Sequence, residues 1–300
     1  MQIHFNKTIK YLLLIVAIIT NSFAYDAFIT PQNLKTSIED KKLIIIDVGS
    51  YSDYKTSHIK NAIYFDISEL IARENNPYML MDKTDIVQTK LKDLGINTSS
   101  NIVIYSHNTK TGNLNSSYLA FILTYNGVHN ISILDGGYMG WIFQNELLIS
   151  TKKFYPRSEG NFTFNENQKI LANLQDIEQN NSKITIMDAR TPQEYYGVEK
   201  SKGIDGIGHI PHAKSSFYKY SFLKDSTIRD DKELDAIYID GFNLSKNSNI
   251  TVYGNSIYDG SMLWYILYQK MGFKHTKLYG ASLLEWGNKS SLPMQRFKWE

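Results

Sequence analysis

The chain has 300 residues, with 32 basic side chains against 30 acidic ones and no cysteine. This balanced charge argues against nucleic acid as the main partner, because nucleic-acid binding needs a clear excess of positive charge. The absence of cysteine excludes disulfides, and it excludes any reaction that passes through a cysteine persulfide or thioester on the chain itself.

The N-terminal segment predicts a secretory signal peptide over residues 1–24. Lys7 and Lys10 precede an apolar run over residues 11–20, and Ser-Phe-Ala at 22–24 offers a small-x-small cleavage pattern. The run is shorter than the roughly 20 apolar residues that a bilayer span needs. We therefore expect a cleaved, periplasmic or secreted protein with no stable membrane span, and an uncleaved anchor is the alternative. A lipoprotein is excluded, because lipidation needs a cysteine.

Downstream of this segment, the chain repeats itself. LIIIDVGSYSDY (43–54) matches ITIMDARTPQEY (184–195), and NIVIYS (101–106) matches NITVYG (249–254). The stretches SHIKNAIYF and ISILDGGYMGW of the first half match GHIPHAKSSF and TKLYGASLLEW of the second half. Four blocks in one order, at slowly drifting separations, indicate duplication of a whole domain.

The duplication predicts two domains, residues 25–150 and 167–300, joined by a linker at 151–166. Within each repeat, short apolar strands alternate with helical stretches. One of these lies within residues 84–96, where Gly95 ends the helix. This alternation predicts two α/β domains, each a mostly parallel sheet flanked by helices. In such sheets, ligands bind at the carboxyl ends of the strands.

These blocks resemble the tandem rhodanese family of sulfurtransferases, of the thiosulfate and mercaptopyruvate type. The second repeat carries the family's motifs as DARTPQEY (188–195) and GHIPHA (208–213). The first repeat is weaker, since DVGSYSDY (47–54) lacks the Arg and SHIKNA (57–62) lacks the Gly and Pro. The match covers nearly all of the chain after the N-terminal segment, and it implies two rhodanese-like α/β domains.

The resemblance also implies a cysteine at the end of a second-domain strand, which takes sulfane sulfur from an anion such as thiosulfate and becomes a persulfide. The matching position here is Gly254, and the first-domain position is Ser106. We therefore expect no catalytic side chain, and a vestigial first-domain site at Ser106. The candidate anion- or ligand-binding residues lie on the second repeat: Asp188, Arg190, Gly254, Asn255, Ser256, Asp259 and Gly260.

Two charged residues bear on whether the second site still holds an anion. Arg190 matches the family Arg that helps to hold it, and the alternative is a structural ion pair with Asp188. If Asp259 faces the site, it opposes binding, because two unit charges about 5 Å apart repel by about 3 kcal/mol at an effective dielectric of about 20.

Other polar residues support simpler interpretations. Ser106 and His107 could form a nucleophilic dyad, but adjacent residues at a strand end point in different directions, which favours a loop serine. His209 and His212 have a metal-like spacing, yet neither a cysteine nor an acidic pair completes a ligand set. We expect no metal and no cofactor, since the sequence also lacks a glycine-rich phosphate-binding motif.

Three functions stay open, because fold does not determine function. The first is an exported binding module for a small sulfur-containing anion or a protein partner, without persulfide catalysis. The second is a sulfurtransferase that moves sulfane sulfur from thiosulfate or a related donor by a route without cysteine. The third is a purely structural or assembly protein.

Overall fold

We describe the protein from a computed structural model, which describes residues 26–72, 77–78, 81–107, 112–145, 148–155, 158–179 and 183–299. The predicted signal peptide lies outside these ranges. Within them, no helix is long and apolar enough to cross a membrane.

The first half of the chain forms a five-stranded parallel sheet from β1 (Phe28–Ile29), β2 (Leu43–Asp47), β4 (Ala62–Tyr64), β5 (Asn101–Tyr105) and β6 (Ile131–Leu134). The strands lie in the order β1-β6-β5-β2-β4. The short strands β3 (His58–Ile59) and β7 (Ile149–Ser150) pair antiparallel beside this sheet. The helices of this half are α1 (Pro31–Ser37), α2 (Tyr51–Thr56), α3 (Thr84–Asp93), α4 (Gly112–Tyr125) and α5 (Gly137–Asn145), with a 3₁₀ turn at Ile67–Leu70.

The second half repeats this plan with the strands β8 (Leu171–Ala172), β9 (Thr185–Asp188), β10 (Ala213–Ser215), β11 (Ile250–Tyr253) and β12 (Thr276–Tyr279). These strands form a parallel sheet in the order β8-β12-β11-β9-β10. Its helices are α6 (Leu174–Glu178), α7 (Pro192–Tyr196), α8 (Asp231–Asp235), α9 (Ile257–Tyr265) and α10 (Ser282–Trp286). Single turns of 3₁₀ helix lie at Gln168–Ile170 and Tyr218–Ser221, and π-helical turns at Ala236–Gly241 and Ile266–Lys270. The predicted fold of two α/β domains is therefore confirmed.

Local sequence signals explain several of these boundaries. Thr30 caps α1, its hydroxyl accepting the backbone N–H of Asn33 at 3.2 Å, and Pro31 occupies the first helical position. The helix α3 ends just before Gly95, which adopts a left-handed φ of 75° that glycine tolerates.

The two domains pack through α4 and α9 and share one apolar core. The hydroxyls of Ser117 and Ser261 lie 3.1 Å apart across this contact, and Phe121 meets Trp264 edge to face at 4.9 Å. Tyr265 donates its hydroxyl to a first-domain carbonyl, at 2.7 Å. Trp264 and Tyr265 of α9 therefore contact the other domain as well as their own.

Candidate functional site

The candidate site of each domain lies at the carboxyl ends of its two central strands. In the second domain, Asp188 ends β9 opposite Tyr253 at the end of β11. In the first domain, Asp47 ends β2 opposite Tyr105 at the end of β5. The parallel register therefore brings the predicted motifs of each repeat to one edge of its sheet.

Arg190 forms a buried ion pair with Asp188. Its Nε lies 2.9 Å from Oδ1 and its Nη2 lies 2.6 Å from Oδ2 of Asp188, while Nη2 also donates to the Gly208 carbonyl at 2.7 Å. Burial alone would lower the pKa of Arg190, but the Asp188 carboxylate raises it. Of the two roles considered for Arg190, the structure shows the pairing with Asp188.

Asp188 is satisfied from several sides. Its Oδ1 accepts the backbone N–H of Arg190 at 3.0 Å, and its Oδ2 accepts the Tyr253 hydroxyl at 2.6 Å. A fully buried carboxylate needs this number of partners, because an unpaired buried charge is costly. Asp188 and its partners therefore stabilise the turn after β9. Arg190, which the resemblance implies would bind an external anion, is paired with Asp188 instead.

The turn after β11 directs its backbone donors to side chains of the same chain. The N–H groups of Asn255 and Ser256 donate to Oδ2 of Asp259 at 2.8 and 3.4 Å, and the N–H of Gly254 donates to the Ser282 hydroxyl at 3.2 Å. A carboxylate oxygen thus lies where an external anion would accept these bonds.

Asp259 and Gly260, two of the candidate ligand-binding residues, belong to the helix that follows the turn. α9 begins at Ile257 because Ser256 and Asp259 form a reciprocal capping box. Asp259 and Gly260 therefore lie in the first turn of α9. The sequence carries the signal for this start as Ser-x-x-Asp at residues 256–259.

Gly254 has no room for a side chain. A Cβ atom at this position would lie 2.6 Å from Cβ of Asp259 and 2.8 Å from the backbone nitrogen of Gly260. Gly260 is also crowded, since a Cβ there would lie 2.7 Å from Leu278. The turn has closed around the position where the resemblance implies a nucleophile.

Asp259 is largely enclosed, and its surroundings change its acidity. Burial raises the pKa of Asp259 to about 6, against the lowering effect of the N–H donors of Asn255 and Ser256, and nearby Glu194 raises it as well. The Nδ2 of Asn255 donates to Glu194 at 2.8 Å. The Oδ1 of Asn255 is buried and has no hydrogen-bond partner in the described part of the chain.

Glu194 adds a second negative charge to this edge. Burial would raise the pKa of Glu194, but hydrogen bonds from Asn255, Ser201 and Thr191 lower it overall. Because the charge of Arg190 is offset by Asp188, the ionised carboxylates of Glu194 and Asp259 give the second site a net negative charge at neutral pH. Such a site favours cations and neutral donors over a doubly charged anion.

The first-domain site replaces the arginine with a histidine. His107 Nε2 lies 2.8 Å from Oδ2 of Asp47, and Gly49 N–H donates to Oδ1 at 2.8 Å. Gly49 stands two residues after Asp47, as Arg190 does after Asp188. A Cβ on Gly49 would lie 3.2 Å from the His107 ring, so the imidazole occupies the space beside this glycine. This pairing has no clear signal in the sequence.

Ser106 is buried at the end of β5, and its carbonyl accepts the N–H of Tyr138 at 3.1 Å. The contact of His107 with Asp47 directs its ring nitrogen towards the carboxylate. The structure therefore pairs His107 with an aspartate across the sheet edge, and the Ser106–His107 dyad gains no support.

The equivalent histidines of the two repeats, His209 and His58, each stack on a tyrosine. The His209 ring stacks on Tyr195 at 3.8 Å and its Nδ1 lies 2.8 Å from the Tyr195 carbonyl. The His58 ring stacks on Tyr54 in the same way, also at 3.8 Å. Among the described residues, no group of three His, Asp or Glu side chains could hold a metal ion.

Comparison with known proteins identifies the family. The model of the rhodanese-like domain matches residues 30–144 and 169–289, which are most of the two repeats. The chain belongs to the rhodanese family. It is a sulfurtransferase-like member of that family without a cysteine.

Curated relatives of this rhodanese-family protein match along most of its length. The sulfur carrier protein TtuD of Thermus thermophilus is 24% identical over 292 residues, covering 90% of this chain and 97% of that protein. The 3-mercaptopyruvate sulfurtransferase of Escherichia coli K12 is 26% identical over 284 residues, covering 90% and 98%. The predicted resemblance is confirmed.

Solved structures show the same fold. The crystal structure of YnjE matches with a TM-score of 0.79 and 17% identity, covering 91% of this chain and 68% of that one. The anaerobic ergothioneine biosynthesis enzyme from Chlorobium limicola, in complex with trimethyl histidine, matches with a TM-score of 0.77 and 19% identity, covering 90% and 70%. At these identities the likeness concerns the fold alone.

Proposed function

We propose that this chain is an exported rhodanese-family binding module that does not carry sulfur on its own side chains. The observation that carries the proposal is the turn after β11. Its donors at Gly254, Asn255 and Ser256 are already bonded to Ser282 and Asp259. The position of the implied nucleophile has neither a thiol nor the space for one.

A protein partner suits the structure better than a small anion. At neutral pH the second site carries a net negative charge, and its backbone N–H groups at Asn255 and Ser256 already donate to the carboxylate of Asp259. Direct sulfur transfer between two bound substrates, the alternative without cysteine, would also need an anion here, and the same carboxylate opposes it. A doubly charged anion should therefore bind with a Kd of about 1 mM or weaker.

An exposed aromatic surface supports a role in protein binding. Near α7, Phe297 and Trp299 are each 57% exposed, and Val198 is 67% exposed. Tyr196 stacks on Trp299 at 5.2 Å and meets Phe297 edge to face at 5.5 Å, so these three aromatic side chains form one patch. Exposed aromatic patches of this kind are enriched at protein interfaces.

The catalytic part of the proposal is tested with thiosulfate and cyanide. Purified protein should show no sulfurtransferase turnover above background, because no thiolate is present to form a persulfide. Mass spectrometry after thiosulfate treatment should show no added sulfur. Turnover of about 1 s⁻¹ or more, in protein free of contaminating sulfurtransferase, would contradict the proposal.

Export is tested by expressing the whole chain in a bacterial host and fractionating the cells. The protein should be recovered from the periplasm or the medium, and N-terminal sequencing should begin at Tyr25. Recovery in the membrane fraction with an intact N-terminus would instead support the uncleaved anchor.

A further inference from the structure

The turn after β11 and the first turn of α9 contain their own carboxylate ligand. Oδ2 of Asp259 accepts two successive backbone donors, from Asn255 at 2.8 Å and Ser256 at 3.4 Å. Cβ of Asp259 also lies 2.6 Å from the place where a side chain on Gly254 would begin. One residue thus takes the donors of the turn and fills the space in front of them.

We propose that Asp259 is the specificity-determining residue of the second site: its carboxylate is a tethered ligand that holds the backbone donors and excludes external oxyanions. This inference rests on the proposed binding function and adds the class of ligand that the second site rejects. Small dianions such as sulfate and thiosulfate are the excluded class.

A tethered carboxylate outcompetes a free anion for two physical reasons. It is part of the helix that the donors begin, so it loses little additional freedom when it binds, whereas a free anion must be immobilised from solution. Its negative charge also repels a second anion at short range, in a setting where solvent screening is weak. Both effects disappear when the carboxylate is removed.

A cap elsewhere in the same domain separates this role from ordinary helix capping. Asp176 forms a capping box with Asn173 at the start of α6, and its Oδ2 accepts the backbone N–H of Asn173 at 2.9 Å. Asp176 therefore has the same local role as Asp259, on a different helix. Asp176→Gly is the matched control, since it should cost a cap without exposing the donors of the second site.

The experiment is a titration with inorganic sulfate at pH 7.5, followed by the amide NMR shifts of Gly254, Asn255 and Ser256. Wild type and Asp176→Gly should show no saturable shift below about 10 mM sulfate. Asp259→Gly should show saturable shifts with a Kd at least tenfold lower. Asp259→Asn should show a smaller gain, because its amide oxygen still accepts the donors while the charge is lost.

If Asp259→Gly binds sulfate no more tightly than Asp176→Gly does, and thermal unfolding shows that both proteins are folded, the proposal is overturned. If Asp259→Gly does not fold, the folded Asp259→Asn protein decides. Sulfate affinity of Asp259→Asn no better than wild type would then overturn the proposal as well.

The pH dependence of sulfate binding provides a second measurement. Burial raises the pKa of Asp259 to about 6, so its carboxyl is mostly protonated at pH 5 and mostly ionised at pH 7.5. Glu194, Arg190 and Tyr218 are the other titratable groups facing it, and the lowered pKa of Glu194 keeps that charge constant over this range. Sulfate shifts at the three amides should be stronger at pH 5 in wild type and unchanged with pH in Asp259→Asn. Equal pH responses in the two proteins would contradict the proposal.

Failure of this inference is distinguishable from failure of the proposed function. Sulfate binding is read at the amides of the turn, and it involves no turnover. Sulfur transfer by the wild-type protein would contradict the proposed function and leave the binding comparison intact. Unaltered sulfate binding in the Asp259 variants would remove the specificity role and leave the absence of catalysis intact.

Discussion

Both sheets end a central strand in a fully buried aspartate, and the side-chain partner of that aspartate differs between the two domains. In the second domain, Asp188 faces Arg190, which lies two residues further along the chain. In the first domain, Gly49 stands at that point, and His107 from the neighbouring strand end takes over at 2.8 Å. A buried carboxylate needs a partner in both domains, and that partner can come from different parts of the fold.

The turns beside these pairs also differ. The second-domain turn has no side chain at Gly254, and its donors at Asn255 and Ser256 bind the carboxylate of Asp259. The first-domain turn has a side chain at the equivalent Ser106. The second domain therefore lacks a side chain at this position, although its motifs match the family better.

Removing the arginine should give the largest effect. Arg190→Ala leaves Asp188 buried with an uncompensated charge, and we expect a loss of about 3–5 kcal/mol in the free energy of unfolding. Urea denaturation at pH 7 measures it. Arg229→Ala is the control, because its ion pair with Glu233 is partly exposed and should contribute less than about 1 kcal/mol. Equal losses of unfolding free energy in the two variants would mean that the buried ion pair stabilises the fold no more than the exposed one.

A pH-dependent gain should follow from Asp259→Asn. The folded pKa of Asp259, about 6, lies above its usual value of 3.8, so the folded state binds the proton more tightly. Its contribution to the free energy of unfolding is therefore greatest below about pH 4 and falls by about 3 kcal/mol as the pH rises past 6. Asp259→Asn should remove this fall, so its advantage over wild type should grow between pH 4 and 8.

Asp135 also has a pKa raised to about 6 by burial, but it is present in both proteins, so its effect cancels. Asp176→Asn serves as the control for a lost cap. A stability difference between Asp259→Asn and wild type that is constant from pH 4 to 8 would show that the ionisation of Asp259 does not oppose folding.

Restoring a side chain in the altered turn should cost stability. Gly254→Cys places a Cβ 2.6 Å from Asp259, and overpacking of this kind costs about 1–3 kcal/mol. The matched change Ser106→Cys replaces one small side chain with another and should cost less than about 1 kcal/mol. Adding Asp259→Gly to Gly254→Cys should recover part of the loss, because one of the two close contacts disappears. Thermal unfolding of the four proteins gives the order, and an unaffected Gly254→Cys would show that the turn is open.

The smallest effect should come from the first domain. His107→Ala leaves Asp47 its hydrogen bonds from Gly49 and Tyr105, so we expect a loss of about 1–2 kcal/mol. His129→Ala, at an exposed position, should change stability by less than about 0.5 kcal/mol. A loss as large as that of Arg190→Ala would mean that the two pairs are energetically equivalent.

The sequence was sufficient for the fold because the signals were local and repeated. Apolar strands ending at Asp47 and Asp188, with four matching blocks, predict two similar parallel sheets without any knowledge of distant contacts. The position of Gly254 at the end of a strand followed from the same repeat.

The details of the site depended on contacts that the sequence shows poorly. The pairing of His107 with Asp47 joins residues 60 positions apart and requires the strand register. The role of Asp259 could have been predicted from the capping-box spacing with Ser256. From the sequence alone, Asp259 stands out only as a charge near the site, because its contact with the turn depends on where α9 begins.

The contact between α4 and α9 has a consequence for how far the two halves can differ. α4 follows β5 and α9 follows β11, so the same helix of each repeat meets its counterpart in the other domain. Contact between the same element of two copies is the pattern of an isologous interface in a symmetric homodimer. Because both copies here belong to one chain, they need not be identical, and one strand-end turn can change while the shared interface holds the two domains together.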